Sequence, residues 1–248
     1  MGYVFDFNDA RAYEQWLSDP GSRYHAKLEN RLMVDMLKPL RGKSFLDIGC
    51  GTGARMLPLI QQGLQATGID PSPYMLDIAA RDLGNRAELH RGVAEELPFD
   101  DNTFTYACLV TTLEFVDNPQ KALEEACRVA KDKVFFGILN RYALKAIQLR
   151  VKGMFGHSVY RSAHFFSIWE LQQMLRRVLG DVPISWKTIC QLPASGGRIA
   201  NKIEKSNLMQ HCPFGAFVGM VVTLVPRFRT DPLPITYRAK HTTGEATG

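Results

Sequence analysis

Short apolar runs alternate along this chain with longer segments in which apolar residues recur every three or four positions. The runs predict seven strands, at residues 44–47, 65–69, 87–91, 104–110, 132–139, 184–192 and 216–225. The intervening segments predict helices, as at Asn118 to Ala130, where Asn118 is the N-cap and Pro119 the first helical residue. Such alternation predicts an α/β fold with a doubly wound, mostly parallel sheet of seven strands.

We interpret the 248 residues as a single domain. Residues 1–43 predict two helices, broken at Asp19-Pro20-Gly21, that form an N-terminal helical lid. The predicted parts that follow are a core at residues 44–139, an inserted helical cap at 140–180, the terminal strands at 181–225 and a tail at 226–248.

The first strand leads into a glycine-rich turn, Gly49-Cys50-Gly51-Thr52-Gly53, and then into an apolar helical pattern. Glycine lets a backbone turn sharply and approach a ligand that any Cβ would obstruct. Strand, turn and helix together are typical of the first unit of a nucleotide-binding sheet. The spacing Gly49-x-Gly51-x-x-Ala54 also fits the dinucleotide fingerprint, so an NAD-dependent oxidoreductase is one interpretation.

Two acids favour a different ligand. Asp47 stands two residues before the first glycine, where it would repel a pyrophosphate but would suit an ammonium group. Asp70 ends the next strand about twenty residues further on, the position of an acid that binds ribose hydroxyls. S-Adenosylmethionine carries both a methionine ammonium and a free ribose. With this ligand, the glycine turn and Asp47 would hold the methionine end, and Asp70 would hold the ribose.

Four segments, LDIGCGTG, TGIDPSPYML, AEELPFDDNTF and ALEEACRVAK, resemble the methyltransferase type 11 family of class I S-adenosylmethionine-dependent methyltransferases. The resemblance covers residues 44 to about 134. It implies a Rossmann-like sheet with an antiparallel end, and methyl transfer from S-adenosylmethionine to a small-molecule or lipid-like acceptor. The adenine would contact Pro71, the backbone of Ala94 and Glu95, because Val93 replaces the aspartate usual in the family. Thr111 lies at the carboxyl end of the fourth strand, where such sheets hold their ligands.

Several aromatic and titratable residues are candidates for the acceptor side of the site. Candidates for the lid and the acceptor pocket are Tyr13, Trp16, Tyr24, Tyr160 and His164, and candidates for catalysis are Glu114, His157 and His164. The aromatic residues could equally pack in the core, and Glu114 could cap a helix or pair with an arginine. Because no catalytic base is unmistakable, a non-catalytic protein that binds S-adenosylmethionine or another protein is a further interpretation.

One basic stretch stands out. No acidic residue occurs from Lys133 through Trp169, and the stretch combines an apolar stripe with Lys133, Arg141, Lys145, Arg150, Lys152 and Arg161. A basic amphipathic helix favours an acceptor that is anionic or presented at a membrane surface, although a solvated helix face is the simpler alternative. The net charge of +5 does not by itself predict a nucleic-acid partner.

The five cysteines are widely spaced and form no Cys-x-x-Cys or Cys/His cluster, so we expect neither a disulfide framework nor a metal site. Asp6, Asp9 and Arg11 interrupt any apolar core that a signal peptide would need. We therefore expect a cytoplasmic protein, peripheral at the membrane surface if the basic stretch binds lipid.

Overall fold

A computed structural model describes residues 2–143, 163–189 and 207–224. The strands are β1 (Ser44–Ile48), β2 (Gln65–Asp70), β3 (Ala87–Arg91), β4 (Phe104–Val110), β5 (Ala130–Leu139), β6 (Ile184–Ile189) and β7 (Phe217–Thr223). The helices in the described residues are α1 (Phe7–Ser18), α2 (Pro20–Leu37), α3 (Leu57–Gln61), α4 (Pro73–Leu83), α5 (Pro119–Val129), α6 (Ile168–Leu179) and α7 (Asn207–Gln210). Short 3₁₀ turns occupy Gly84–Arg86 and Arg141–Ala143.

The seven strands form one sheet with the order β3-β2-β1-β4-β5-β7-β6. The first five are parallel, and β7 lies antiparallel between β5 and β6. The expected doubly wound sheet with an antiparallel end is therefore confirmed. The strand order reverses between β1 and β4, and in such sheets the ligand cleft opens at the carboxyl ends of the strands on either side of that point.

Local sequence explains where the helices begin. The backbone N–H of Asp19 donates to the carbonyl of Trp16 at the end of α1, and the Asp19 carboxylate accepts from the Ser22 N–H at the start of α2. Pro20 and Pro73 occupy first helical positions, where the missing N–H costs no hydrogen bond. The predicted break at Asp19-Pro20-Gly21 is confirmed.

The core lies on both faces of the sheet because strand side chains alternate. Phe45 and Phe135 point to the face covered by α2 and α3, whereas Leu46 and Phe136 point to the face covered by α5 and α6. The lid expected from residues 1–43 is mostly part of this packing, since α2 contacts β5 and β7. Of the expected cap, residues 144–162 lie outside the described residues, and α6 packs against α5.

Candidate functional site

The glycines of the turn after β1 differ in what surrounds them. A Cβ on Gly49 would lie 2.5 Å from the Thr112 side chain, and one on Gly53 would lie 2.6 Å from Leu83 Cδ1, so these glycines permit close packing. Gly51 differs, because a Cβ there would meet nothing nearer than the Met75 sulfur at 4.0 Å. Its φ of +53° favours glycine. The middle glycine therefore borders open space beside the turn.

Asp70, at the end of β2, is fixed by backbone donors. Its Oδ2 accepts from the Gly51 N–H at 2.8 Å, and its Oδ1 accepts from the Ser72 N–H at 2.9 Å. Burial raises the pKa of Asp70, and the two hydrogen bonds oppose that shift. Each carboxylate oxygen retains a lone pair, so the carboxylate can also accept hydrogen bonds from a ribose diol.

A cavity with an empty volume of about 580 Å³, part of it open to solvent, lies at the carboxyl ends of the strands. Six residues predicted to bind the cofactor line it: Gly49, Asp70, Pro71, Ala94, Glu95 and Thr111. The remaining wall consists of Gly2, Tyr3, Val4, Phe5, Gly92, Val93, Thr112, Phe115 and Val116. Thr111 has a φ of +55°, a conformation that costs energy in a β-branched residue and that clusters at ligand sites.

Glu95 lines this cavity but also supports the fold. Its Oε1 accepts from the backbone N–H groups of Asp117 and Asn118, at 2.9 and 3.3 Å. This oxygen thereby holds the loop that leads into α5. The sequence predicts Glu95 as an adenine ligand, and no local pattern indicates this second role.

Four other residues predicted to hold the cofactor, Asp47, Cys50, Gly51 and Gly53, are absent from the described wall of the cavity. Asp47 is buried, and burial together with the neighbouring Asp70 raises its pKa to about 7, against the opposing charge of Arg55. Burial also raises the pKa of Cys50, so its thiol stays protonated.

A second group of acids surrounds Arg55. The Arg55 guanidinium pairs with the Glu29 carboxylate at 2.7 Å, and the Glu29 side chain is only 1% exposed. Glu114 Oε1 accepts from the Leu139 N–H at 2.7 Å, while its Oε2 is buried and finds no hydrogen-bond partner among the described residues. Burial raises the pKa of Glu114 to about 7. We call Glu29, Asp47, Arg55 and Glu114 the acid cluster.

The acceptor candidates are scattered. Tyr13 and Trp16 stack on each other with ring centroids 5.7 Å apart and pack against the core, outside the cavity wall. The His164 ring packs on Phe166 at 4.6 Å, and its backbone N–H donates to the Glu114 carbonyl. Tyr24 contacts His25. His157 and Tyr160 lie outside the described residues.

Sequence reasoning missed the chain segment at residues 2–5, which lines the same cavity as Asp70. A signal was present: the aromatic pair Tyr3 and Phe5 comes directly before Asp6, which forms a capping box with Asp9 at the start of α1. Among the described residues no three His, Cys, Asp or Glu side chains are placed to hold a metal ion, and no described helix is long and apolar enough to cross a membrane.

A model of the methyltransferase domain matches residues 46–138, which include the glycine turn, Asp70 and Glu114. An uncharacterized protein of Methanocaldococcus jannaschii is 32% identical over 177 residues, which cover 71% of this chain and 80% of that protein. The chain belongs to the class I S-adenosylmethionine-dependent methyltransferases. Its cofactor is therefore S-adenosylmethionine, and the methyltransferase is an enzyme.

Two further comparisons agree with this assignment. A demethylmenaquinone methyltransferase of Paenarthrobacter aurescens is 28% identical over 213 residues, covering 78% of this chain and 82% of that enzyme. A crystal structure from Thermotoga maritima, described as a possible histamine N-methyltransferase, is 28% identical with a TM-score of 0.65, covering 88% of this methyltransferase and 96% of that chain. Matches to uncharacterized mycobacterial methyltransferases span only 40% of their length.

The residues present fit this cofactor. Gly51 leaves space that a Cβ would enter, and Asp70 is held with free lone pairs at the edge of the cavity. In the glycine turn, the buried hydroxyl of Thr52 has no hydrogen-bond partner among the described residues. Unpartnered buried polar atoms are uncommon in folded proteins and are consistent with a ligand that satisfies them.

Proposed function

We propose that this methyltransferase methylates a small, lipid-like acceptor that enters beside the end of β5. The observation that carries the proposal is a group of exposed aromatic side chains there, Tyr142, Trp169 and Phe214, which are 55%, 54% and 63% exposed. We call these three residues the aromatic rim. Large exposed apolar groups on a folded surface mark contacts with apolar ligands, membranes or proteins.

The aromatic rim is organised by one buried polar residue. Asn140, at the end of β5, is fully buried, and its side-chain amide donates to the carbonyls of Pro213 and Gly215 on either side of Phe214. Its Oδ1 accepts from the Tyr142 N–H at 3.2 Å. The Tyr142 ring meets the Trp169 ring edge to face, with centroids 5.7 Å apart. The rim is thus held at the carboxyl end of the sheet, the same end as the cofactor cavity.

The relative from Paenarthrobacter aurescens supports an acceptor of this class, because that enzyme is named a demethylmenaquinone methyltransferase. In our proposal the acceptor keeps its apolar part against the aromatic rim and presents its nucleophile toward the cofactor cavity. Residues 1–248 act as one methyltransferase domain in this proposal, and residues 140–180 contribute to the acceptor side.

Within the cofactor site we propose that Asp70 binds the ribose and that Pro71 and Ala94 contact the adenine. Gly51 would allow close approach of the backbone, and Asp47 would face the methionine ammonium. Bound S-adenosylmethionine supplies an electrophilic methyl group. The chain would hold that group and the acceptor in line and exclude water, because positioning and desolvation supply much of the catalysis in transfers of this kind.

A panel of acceptors tests the acceptor class. The enzyme is incubated with S-adenosylmethionine and, in separate reactions, with a short-chain demethylmenaquinol in mixed micelles, histamine and phosphoethanolamine, and the mass gain of one CH₂ group is measured. We expect turnover of the demethylmenaquinol. Turnover of a polar amine alone would contradict the lipid-like assignment, and cofactor binding without turnover of any acceptor would favour a non-catalytic protein.

The aromatic rim is tested by a double substitution, Tyr142→Ala with Trp169→Ala. We expect KM for the demethylmenaquinol to rise roughly tenfold, since two large aromatic contacts are lost, while the affinity for S-adenosylmethionine stays unchanged. The control is Leu40→Ala, which removes a side chain that is 62% exposed in the connection between α2 and β1. An equal rise in KM in the control would show that the rim has no special role.

We further propose that anionic lipid attracts the basic stretch. Arg141 is a poor probe of this, because its guanidinium pairs with Glu170 at 2.7 Å and donates to the Phe165 carbonyl. Lys145, Arg150, Lys152 and Arg161 lie outside the described residues. The test is sedimentation with anionic and neutral vesicles, using Lys145→Glu with Lys152→Glu. We expect salt-sensitive binding to anionic vesicles that the double variant weakens, and equal binding to both vesicle types would contradict the proposal.

A further inference from the structure

The segment at residues 2–5, which we call the strap, crosses the cofactor cavity from one cleft wall to the other. At its first end the Tyr3 N–H donates to the Phe115 carbonyl, in the loop after β4, at 2.8 Å. Gly2 lies so close to this loop that a Cβ would be 2.5 Å from the Phe115 oxygen. The strap is therefore seated tightly on the wall that follows β4.

At its second end the strap is held by Ser72, in the loop after β2. The Ser72 hydroxyl donates to the Phe5 carbonyl at 2.6 Å. The Ser72 hydroxyl oxygen also accepts from the Met75 N–H and so caps α4. The Ser72 backbone N–H donates to Asp70 Oδ1. Ser72 is fully buried. Through its hydroxyl Ser72 connects the strap to the start of α4, and through its backbone N–H it also contacts the carboxylate proposed to bind ribose.

Aromatic packing reinforces both attachments. The Phe5 ring meets the Phe115 ring at 5.1 Å and the Tyr3 ring at 5.3 Å, both edge to face. The Tyr3 hydroxyl donates to Asp9 Oδ2 at 2.8 Å, and Asp9 belongs to the capping box that begins α1. The strap residues line the same cavity as Asp70 and Thr111 and therefore form part of its wall.

We propose that the strap is the outer wall of the cofactor site and that Ser72 is the positioning residue that keeps it closed. The inference rests on the proposed function, since it takes S-adenosylmethionine to bind between Asp70 and Thr111. Cofactor and product leave this site only after the Ser72–Phe5 and Tyr3–Phe115 hydrogen bonds break. Ser72 therefore controls the rate of cofactor exchange more than it controls the fit of the bound cofactor.

The test compares Ser72→Ala with Ser167→Ala. Both substitutions remove a serine N-cap, of α4 and of α6 respectively, but only Ser72 contacts the strap. Dissociation of radiolabelled S-adenosylhomocysteine is followed after a chase with excess unlabelled cofactor. We expect Ser72→Ala to raise the dissociation rate roughly threefold to tenfold, as for the loss of one buried hydrogen bond, and Ser167→Ala to match the wild type.

A second variant covers the case in which Ser72→Ala fails to fold. Phe5→Ala removes the ring that packs on Phe115, leaves the N-cap intact, and should also raise the dissociation rate. In the wild type, cofactor should slow hydrogen exchange at the Tyr3 amide, which the strap's opening exposes.

Equal dissociation rates in the wild type, Phe5→Ala and both serine variants would overturn the strap proposal. If affinity also depends on Asp70 in that case, the cofactor assignment stands and only the strap inference fails. If the wild type binds S-adenosylmethionine but neither Asp70 nor the strap affects it, the proposed location of the site is wrong.

Discussion

Two neighbouring strands of the sheet carry an aspartate near their carboxyl ends, yet the two surroundings differ. Asp70, the last residue of β2, accepts hydrogen bonds from two backbone N–H groups and lines an open cavity. Asp47, in β1, belongs to the acid cluster, in which the guanidinium of Arg55 pairs with Glu29 and acts electrostatically on Asp47 and Glu114. Asp70 thus has two backbone hydrogen-bond donors, whereas Asp47 is buried in a cluster with three carboxyl groups and one cation.

The difference indicates which part of the cofactor each region suits. Backbone donors orient the Asp70 carboxylate and leave it able to accept from neutral hydroxyl groups. In the acid cluster, burial raises the pKa of Asp47 and of Glu114 to about 7 and so favours their protonated forms, because a buried charge without a partner is unfavourable. A cationic group would reverse that balance. Two positive groups, an ammonium and a sulfonium, lie together at the methionine end of S-adenosylmethionine.

The largest effect is expected from Arg55→Ala, which should lower the free energy of unfolding by about 3–5 kcal/mol, because it strands the buried carboxylate of Glu29. The control is Arg31→Ala, since the Arg31–Asp35 pair is 62% exposed on both sides and should contribute less than about 1 kcal/mol. Urea unfolding measures both. Similar losses in the two variants would show that the acid cluster has no special dependence on its single cation.

Gly51 lies in the turn after β1, and its N–H donates to Asp70. Gly51→Val should weaken S-adenosylmethionine binding by at least about a hundredfold, because the valine side chain would occupy the open space beside the turn. Calorimetric titration measures the affinity. Gly84→Val is a matched control, since Gly84 has a φ of +54° and open space around it at the end of α4. Both variants should lose similar stability from the left-handed backbone. Equal cofactor binding in the two would mean that the turn at Gly51 is purely structural.

The strands that carry the two aspartates could be predicted from sequence. β1 and β2 are short apolar runs with an aspartate at or next to their last residue, so both strands and Asp70 follow from the local pattern. The attachment of the strap to Ser72 and the Arg55–Glu29 pair could not be found in this way. Ser72 meets Phe5 across 67 residues and Arg55 meets Glu29 across 26, and no periodicity indicates which distant polar atoms become neighbours.

Asp70→Ala should weaken S-adenosylmethionine binding by at least about tenfold, through the loss of hydrogen bonds to the ribose hydroxyls. The substitution also removes the acceptor for the Gly51 and Ser72 N–H groups, so part of the loss comes from a less ordered turn. Asp70→Asn separates the two contributions, because its amide oxygen can still accept from one backbone donor. A folded Asp70→Ala variant with unchanged affinity would remove Asp70 from the site.

The smallest effect concerns the pH dependence of stability without cofactor. Burial raises the pKa of Asp47 from 3.8 and of Glu114 from 4.5, both to about 7, so the folded protein keeps protons that the unfolded chain releases. Their contribution to stability is therefore complete below about pH 4 and is lost as the pH rises through about 7. We expect Asp47→Asn to reduce this loss, measured by urea unfolding between pH 5 and 8.

The control for that measurement is Asp181→Asn, which removes one exposed negative charge after α6 and should leave the pH profile unchanged. Saturating S-adenosylmethionine should flatten the wild-type profile, because a cation beside the acid cluster favours the ionised carboxylates and lowers their pKa. S-Adenosylhomocysteine keeps the ammonium but lacks the sulfonium charge, so it should flatten the profile less. If the two ligands act identically, the acid cluster responds to the ammonium alone, and a profile that neither ligand alters would place the methionine end away from Asp47.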